Sequence, residues 1–275
     1  MSTSAPASPA TRARRRVGRR LSRAGLVVPA ALGVALVVLP LLGLLLRTDW
    51  ASLGENLSAP LVWPAVRLSL VTSLVTVVVC GVLGTPLAWL LARAEGRAVS
   101  WLRAVLTVPV VLPPVVGGVA LLMAYGRRGV VGAPVFELVG LRLPFTPTAV
   151  VLAQVFVSLP FFVLAVEGAM RGVDARYDAV AATLGASPLR VFTRVALPLA
   201  APGIASGAAL AWARALGEFG ATITFAGNFA GSTQTAPLAV YVALQDDPQA
   251  ALALSIAMLA VSLVVLGLLR GRWMR

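Results

Sequence analysis

One arginine and one glutamate stand four residues apart in a long apolar stretch, "WARALGEFGATITFAGN", which runs from Trp212 to Asn228. Ionisable groups are costly at membrane depth, so Arg214 and Glu218 are candidates for a functional site. Residues four apart share one face of a helix, which allows the two side chains to pair. Two interpretations remain open: a structural ion pair or a bond to a neighbouring helix, and a direct part in a path or gate.

The composition of the chain is that of an integral membrane protein. Of its 275 residues 59% are hydrophobic and 12% are charged, with a mean hydropathy of +0.92, whereas a typical soluble domain is roughly 25% charged. The sequence has no lysine, no histidine and one cysteine, Cys80. These absences exclude a lysine-dependent phosphate loop, a histidine-dependent catalytic triad, a histidine-ligated metal and an internal disulfide. We expect a chain that catalyses no reaction and binds neither a cofactor nor a metal.

Six apolar segments have the length of a membrane-spanning helix, about 20 residues. They are continuous rather than alternating, which indicates helices and not barrel strands. The prediction is an all-α membrane domain over residues 26–275, with spans at about 26–46, 68–92, 104–125, 148–166, 202–227 and 249–269. Residues 1–25 are polar and arginine-rich, so a disordered basic N-terminus is expected. Residues 126–147 are too apolar for a free tail and form either a short re-entrant or interfacial element or a plain connector.

The arginines predict the orientation of the six spans. With the N-terminus inside, seventeen of the 23 basic residues lie in inner segments and five in outer ones, as the positive-inside rule requires. Both termini are therefore expected in the cytoplasm, as is the loop at residues 171–200. Because the basic charge then lies against the lipid surface, a nucleic-acid partner is not expected, and the bilayer is.

The most informative inner segment is "RGVDARYDAVAATLGASPLRVFTRVALPLAAPGI", which begins at Arg171. Asp174 can cap a short helix from Ala175 to Leu184, and Gly185 can end it in the left-handed conformation. The helix offers a surface of small residues to a partner, at Ala179, Ala181, Ala182 and Ala186. The alternative is an amphipathic connector that lies on the membrane.

A second short helix is expected directly after this glycine. Ser187 is a good N-cap residue, and Pro188 suits the first helical position, where its missing N–H is no loss. This helix is predicted to reach Leu197, where Pro198 interrupts it, and Pro202 then starts the fifth span. The loop would thus consist of two short helices joined by a tight glycine turn.

The spacing in this loop resembles the cytoplasmic loop of binding-protein-dependent ABC importer permeases. The family pattern is Glu-Ala-Ala, three residues, glycine, nine residues and Ile-x-Leu-Pro. Here Gly185 is followed by nine residues and then by Val-Ala-Leu-Pro, which ends at Pro198. The glutamate position holds Ala179, and Asp178 supplies an acid one position earlier.

The resemblance covers roughly residues 60–275. It implies a type I permease fold and a coupling helix that seats in a groove of a separate ABC ATPase. The coupling residues are then Asp178, Ala181, Ala182, Leu184, Gly185, Ala186, Ser187, Leu197 and Pro198.

The stretch that contains Arg214 and Glu218, followed by "TQTAPLAVYVALQ" at Thr233–Gln245, resembles molybdate permeases, as does the proline-rich segment Val108–Gly118. Sulfate permeases share the Gly-Glu-Phe/Tyr-Gly core. The resemblance implies a homodimer in a prokaryotic cell membrane, an ATPase dimer and an extracytoplasmic oxyanion-binding protein. Candidates for the path or gate are Pro113, Pro114, Gly117, Gly220, Thr222 and Thr224. The alternatives are a sulfate, thiosulfate or tungstate permease of the same family, and an ion-coupled secondary transporter that uses the intramembrane charges.

Overall fold

The computed structural model describes residues 9–60, 62–174 and 176–273, and their side chains over residues 25–267. The chain divides into two compact units, Met1–Asp49 and Trp50–Arg275. In the first unit, helix α1 (Pro9–Arg47) is continuous through Pro29 and Pro40. Its segment Gly25–Arg47 is long and apolar enough to cross a membrane. Residues 9–25, for which the sequence predicts disorder, are therefore helical, while residues 1–8 lie outside the described residues.

The second unit is also helical, and none of its described residues lies in a strand. Its helices in chain order are α2 (Leu53–Leu57), α3 (Val62–Arg93), α4 (Arg97–Val111), α5 (Pro114–Tyr125), α6 (Gly132–Val139), α7 (Pro147–Gly172), α8 (Arg176–Thr183), α9 (Pro188–Val191), α10 (Leu197–Leu216), α11 (Gly220–Phe225), α12 (Ala236–Asp246) and α13 (Pro248–Trp273). A π-helical turn, Phe192–Ala196, joins α9 to α10.

Five helices of the described chain are long and apolar enough to span a membrane, and α4 with α5, bent by 117°, is either a broken sixth span or a re-entrant loop. The predicted all-α membrane fold is therefore confirmed, and the predicted six spans agree with it when α4 and α5 are counted as one broken span. The predicted segments 68–92, 148–166 and 249–269 lie inside α3, α7 and α13. These helices are longer than their apolar runs because a helix continues past the hydrocarbon into the head-group region.

The third span differs from the prediction of one helix over 104–125. It is broken after Val111, because Leu112 and Pro113 have extended backbone conformations. The residue before a proline is forced towards this conformation, and two prolines follow Leu112 in succession. Pro114 then opens α5 in the first turn of the helix, where no N–H is needed.

The fifth span also differs, at both ends, from the prediction of 202–227. The helix begins at Pro188 and passes Pro198 and Pro202 without a break. Within the π-helical turn, the N–H of Leu197 donates to the carbonyl of Phe192, five residues back. This wider turn accommodates the missing N–H of Pro198, so the predicted interruption is wrong. At the far end the helix stops at Leu216, and α11 follows as a separate short helix.

The core of the second unit forms where α3 packs against α7. A Cβ on Gly84 would lie 2.6 Å from Cδ1 of Phe162, and Thr76 hydrogen-bonds Gln154 at 3.0 Å. Both contacts advance in the same direction along the two helices, so α3 and α7 are parallel. Helix α10 also packs on α7, since a Cβ on Gly207 would lie 2.9 Å from Cγ2 of Val166.

The segment 126–147 contains a short helix, α6, which ends at Gly140 in the left-handed conformation (φ 69°). Two guanidinium groups lie over the ring of Phe136, with Cζ of Arg127 at 4.7 Å and Cζ of Arg142 at 5.3 Å from its centroid. These are cation–π distances. The segment is thus a structured element rather than a plain connector.

Candidate functional site

The intramembrane charges lie at the break in the fifth span. Nη1 of Arg214 is 2.6 Å from Oε2 of Glu218, whose side chain is 1% exposed. The other carboxylate oxygen, Oε1, accepts a hydrogen bond of 2.7 Å from the N–H of Ala221. Each oxygen of the buried carboxylate therefore has a donor, as a buried charge requires.

The break itself explains why the glutamate stands there. Helix α10 ends at Leu216, and α11 begins at Gly220, so Glu218 lies between the two helices rather than on a common helical face. The first N–H groups of α11 have no partner within the helix. Glu218 supplies one at Ala221 while it neutralises Arg214. Sequence reasoning found the pair but missed the break, which the glycines at 217 and 220 on either side of the acid indicate.

Phe219 follows this acid and points to the other side of the break. Its ring packs edge-on against Tyr241 of α12, with the centroids 5.3 Å apart. Both rings line a cavity of about 1460 Å³ between α10, α12 and α13. The lining is almost wholly apolar, for example at Trp212 and Met258. The hydroxyl groups of Tyr241, Ser255 and Ser262 are among the few polar groups of this lining.

Three of the six predicted path residues, Pro114, Gly220 and Thr224, lie where α5 packs on α11. A Cβ on Gly220 would lie 2.7 Å from Cβ of Pro114, and a Cβ on Gly118 would lie 2.6 Å from Cβ of Thr224. Gly117 points elsewhere, because a Cβ there would lie 2.9 Å from Cε1 of Phe156 on α7. The bent third span and the broken fifth span are thus in direct contact through residues with small or no side chains.

The two threonines of α11 differ in their bonding. Thr224 Oγ1 donates to the carbonyl of Gly220 at 2.9 Å, so its hydroxyl bonds its own helix. Thr222 is fully buried, and its Oγ1 has no hydrogen-bond partner among the described residues. Pro113 lies in the break between α4 and α5. Of the two hydroxyls, the one at Thr222 is available to a further acceptor or donor.

A set of buried hydroxyl and amide side chains, which sequence reasoning missed, lies between α3, α7 and α12. Thr76 Oγ1 donates to Oε1 of Gln154, and Ser69 Oγ accepts a bond of 2.7 Å from the N–H of Ala236, at the start of α12. Further buried polar residues of the same unit are Thr72, Ser73, Ser158, Thr233 and Thr235. The spacing of residues 69, 72, 73 and 76 on one helical face is the sequence signal for this set.

The segment between α7 and α9, residues 173–187, has the predicted glycine turn. Gly185 is left-handed (φ 81°), its N–H donates to the carbonyl of Ala182 at 2.9 Å, and the N–H of Ala186 donates to that of Ala181 at 3.0 Å. This pair of bonds is a Schellman motif, which satisfies the last carbonyls of a helix. The motif presents Leu184 to the outside, where its side chain is 82% exposed.

Both ends of this segment agree with the predicted capping positions. Oδ1 of Asp174 accepts a bond of 2.9 Å from the N–H of Arg176, at the start of α8. Ser187 has an extended backbone before α9, without a side-chain cap bond, and Pro188 takes the first helical position. The N–H of Val191 donates to the carbonyl of Ser187 at 2.9 Å. We name residues 173–187 the α7–α9 loop; Leu197 and Pro198 lie beyond it, at the start of α10.

Asp178, in the first turn of α8, does not project freely from this loop. Its Oδ2 is 2.6 Å from Nε of Arg93, the last residue of α3. Nearby, Oε1 of the buried Glu167 is 2.7 Å from Nη2 of Arg103 and 2.9 Å from Nη2 of Arg171. Sequence reasoning missed these ion pairs.

The described residues contain no group of three or more histidine, cysteine or acidic side chains that could hold a metal ion. The carboxylates of Glu167 and Glu218 are each paired with an arginine.

Comparisons with known proteins agree with these features. A family model described as binding-protein-dependent transport system inner membrane component matches residues 84–271. The chain is 49% identical over 241 residues to the molybdenum transport system permease protein of Mycobacterium tuberculosis, with 87% of this chain and 91% of that protein covered. It is 41% identical over 212 residues to the protein of the same name in Escherichia coli, with 77% and 93% covered.

The sulfate transport system permease protein of Escherichia coli is 33% identical over 235 residues, with 84% of each chain covered. Among solved structures, a chain of a bacterial alginate ABC transporter, crystallised with an alginate-bound periplasmic protein, matches with a TM-score of 0.68. It is 15% identical, and the match covers 91% of this chain and 94% of that one. At this identity the match concerns the fold.

Proposed function

This chain belongs to the family of binding-protein-dependent transport system inner membrane components, and from that premise we propose that it forms the translocation path of an ATP-driven molybdate importer. The observation that carries the mechanism is the α7–α9 loop. Its Schellman turn at Gly185 holds two short helices in a fixed arrangement and exposes Leu184. An exposed large apolar side chain on an ordered turn is a suitable contact for another protein.

The relatives support molybdate as the substrate. Identity to the Escherichia coli molybdenum permease is 41%, against 33% for the sulfate permease of the same organism. The same preference is supported by the 49% identity to the mycobacterial molybdenum permease. Tungstate is the alternative that this comparison leaves open, because its oxyanion has the same charge and shape.

In the proposed assembly two copies of this chain form the path. Their α7–α9 loops face the cytoplasm with both termini and contact a dimer of a separate ABC ATPase. An extracytoplasmic oxyanion-binding protein delivers the ion to the opposite face. When the ATPases close on ATP, they displace the loops, and the path changes from inward-open to outward-open. This chain hydrolyses nothing and needs no cofactor.

The contact between α5 and α11 is the element that we expect to move as the path opens. Gly118 lies directly against Ala221 and Thr224, and Gly220 against Pro114. Small residues at a helix interface let the two backbones approach closely, so few side chains interlock there. Thr222 lies on the same α11, and its buried hydroxyl has no partner among the described residues, so it is the hydroxyl of α11 that could bond a passing oxyanion.

Glu218 is poorly suited to bind the substrate. It has the same sign of charge as an oxyanion, and both of its oxygens already have donors. The ion-coupled secondary transporter, the alternative from another class, needs an intramembrane group that can exchange its ion. A carboxylate held by a guanidinium and a backbone N–H is a structural group instead.

The test is transport by the chain reconstituted in vesicles with its ATPase and its binding protein. We expect ATP-dependent uptake of labelled molybdate that excess sulfate does not suppress. Deletion of Ala181–Ala186 should abolish uptake while the protein still inserts. Sulfate preferred over molybdate would overturn the substrate. Normal uptake by the deletion variant would overturn the coupling role, and uptake by this chain alone, driven by a proton or sodium gradient, would identify a secondary transporter.

A further inference from the structure

Three arginines cap the ends of α3 and α7 where these helices meet α8. The two helices are parallel, so their C-termini, with unpaired carbonyls and negative dipole ends, lie side by side. Nη1 of Arg93, at the end of α3, donates to the carbonyls of Met170 (3.2 Å) and Val173 (3.3 Å) at the end of α7. The Arg93 side chain of α3 thus satisfies carbonyl groups at the C-terminus of α7.

A carbonyl group near the C-terminus of α3 is likewise hydrogen-bonded by two arginines from other helices. Nη2 of Arg103 on α4 and Nη2 of Arg171 on α7 donate to the carbonyl of Leu91, at 3.3 and 3.4 Å. Both guanidinium groups also bond Oε1 of Glu167, which is buried. A charge held by several hydrogen bonds fixes the geometry of the groups around it. The ends of α3 and α7 and the middle of α4 therefore form one charged junction.

Helix α8 joins this junction through a single ion pair. Nε of Arg93 is 2.6 Å from Oδ2 of Asp178, and both side chains are mostly buried, at 20% and 18% exposure. None of the described residues of α8 is fully buried, so apolar packing holds this helix only weakly. Arg93 thus contacts α8 with one nitrogen of its fork and the end of α7 with another.

The Arg93–Asp178 pair lacks the second hydrogen bond that a guanidinium and a carboxylate can form. Nη2 of Arg93 and Oδ1 of Asp178 are buried and have no partner among the described residues. They are the two atoms that a fork-to-carboxylate pair would join in addition to Nε and Oδ2. A small rotation of α8 relative to α3 that turns Oδ1 towards Nη2 would therefore convert the one-bond contact into a two-bond contact without any other residue.

We propose that Arg93 and Asp178 are positioning residues that transmit displacement of α8 to the joined ends of α3 and α7. This role rests on the proposed function, because α8 is the helix that the ATPase would move. From the junction the displacement continues along α7, which packs on α10 at Val166 and Gly207. Helix α10 leads directly into the break at Glu218. The pair is the charged link between the ATPase contact and the broken span.

The experiment compares Asp178→Asn with wild type in the complete complex, reconstituted with its ATPase and binding protein. ATP hydrolysis and uptake of labelled molybdate are measured in the same vesicles. We expect uptake to fall roughly tenfold, as for loss of a charge-assisted bond, while hydrolysis stays within about twofold of wild type because the ATPase sites are untouched. The ATP consumed per ion imported therefore rises. Glu95→Gln, at an exposed acid two residues from Arg93, is the matched control and should change neither rate.

Two further variants separate positioning from simple folding. Arg93→Lys keeps the charge but loses the fork that reaches α7 and α8 together, so an intermediate loss of coupling is expected. Asp178→Glu keeps the carboxylate, so this variant should retain more of the coupling than Asp178→Asn. Amide exchange over residues 176–183 should quicken in Asp178→Asn, with that of the α3 and α7 cores unchanged.

The possible failures are distinct. A wild-type complex that imports no molybdate overturns the proposed function and this role with it. A wild-type complex that imports it, together with an unchanged ratio of ATP to ion in Asp178→Asn and Arg93→Lys, overturns the positioning role alone. Equal coupling in Asp178→Glu and Asp178→Asn also overturns it, since the charge of the carboxylate would then not matter.

Discussion

Arg214 and Glu218 form an ion pair of 2.6 Å at the point where the fifth membrane-spanning helix is interrupted. The pair is local in sequence, but its second anchor belongs to the next helix, because Glu218 also accepts the N–H of Ala221. The glutamate thus joins the end of α10 to the beginning of α11. Its charge stabilises a break that apolar side chains could not, since an interrupted helix exposes donors that only a polar group can satisfy.

Glu218→Gln should destabilise the protein rather than alter substrate binding. The amide can keep one bond to Ala221 but leaves Arg214 without its counter-ion, a loss of about 1–3 kcal/mol for a hydrogen-bonded charge. Thermal unfolding in detergent should show a lower midpoint than for wild type. Glu137→Gln, at an exposed acid on α6, is the control and should leave the midpoint unchanged. Tighter molybdate binding by Glu218→Gln with transport intact would contradict the structural role.

Structure is predicted most reliably from the sequence at positions where the backbone conformation itself requires one residue type. Gly185 is an example, because a helix that ends in the left-handed conformation favours glycine, and Ser187 with Pro188 marks the next start. The apolar runs likewise predict the six spans, because hydrocarbon demands them whatever their neighbours are. In these cases the local sequence contains the whole physical requirement.

Prediction fails where the deciding contact is distant or where two local rules compete. Arg93 and Asp178 are 85 residues apart, and no local pattern relates them. Proline usually interrupts a helix, and this general rule gave the wrong prediction at Pro198. The π-helical turn before Pro198 accommodates its missing N–H, so the helix continues. Hydropathy cannot detect the bend at Pro113, because residues 104–125 form one uninterrupted uncharged run on both sides of it.

Gly118→Ala should weaken the contact between α5 and α11. The added Cβ would lie 2.6 Å from Cβ of Thr224 and 2.9 Å from the carbonyl oxygen of Ala221, so the helices must separate, at a cost of about 1–3 kcal/mol. A lower unfolding midpoint and slower uptake are expected. Gly81→Ala in α3, where nothing lies within 4 Å of the added Cβ, should be neutral or slightly stabilising. Equal unfolding midpoints for Gly118→Ala and Gly81→Ala would show that α5 and α11 are not in close contact at Gly118.

Thr76→Val should destabilise the pairing of α3 with α7. The change is nearly isosteric, but it leaves Oε1 of the buried Gln154 without its donor, which costs about 1–3 kcal/mol. Thr72→Val is the matched control, because its hydroxyl bonds the carbonyl of Leu68 in its own helix and its removal strands no distant group. The difference between the two unfolding midpoints measures the interhelical bond. A larger loss for Thr72→Val would contradict this assignment.

Gly185→Ala should impair ATP-driven uptake more than it impairs folding. Gly185 has φ 81°, and an alanine there costs about 1 kcal/mol or disrupts the Schellman turn. The turn holds α8 and α9 in the arrangement that an ATPase would contact, so uptake per complex should fall while insertion persists. Gly140→Ala is the matched control, because Gly140 is also left-handed (φ 69°) but ends α6, away from the α7–α9 loop. Equal losses of uptake in both variants would mean that backbone strain, and not the position of the turn, causes the defect.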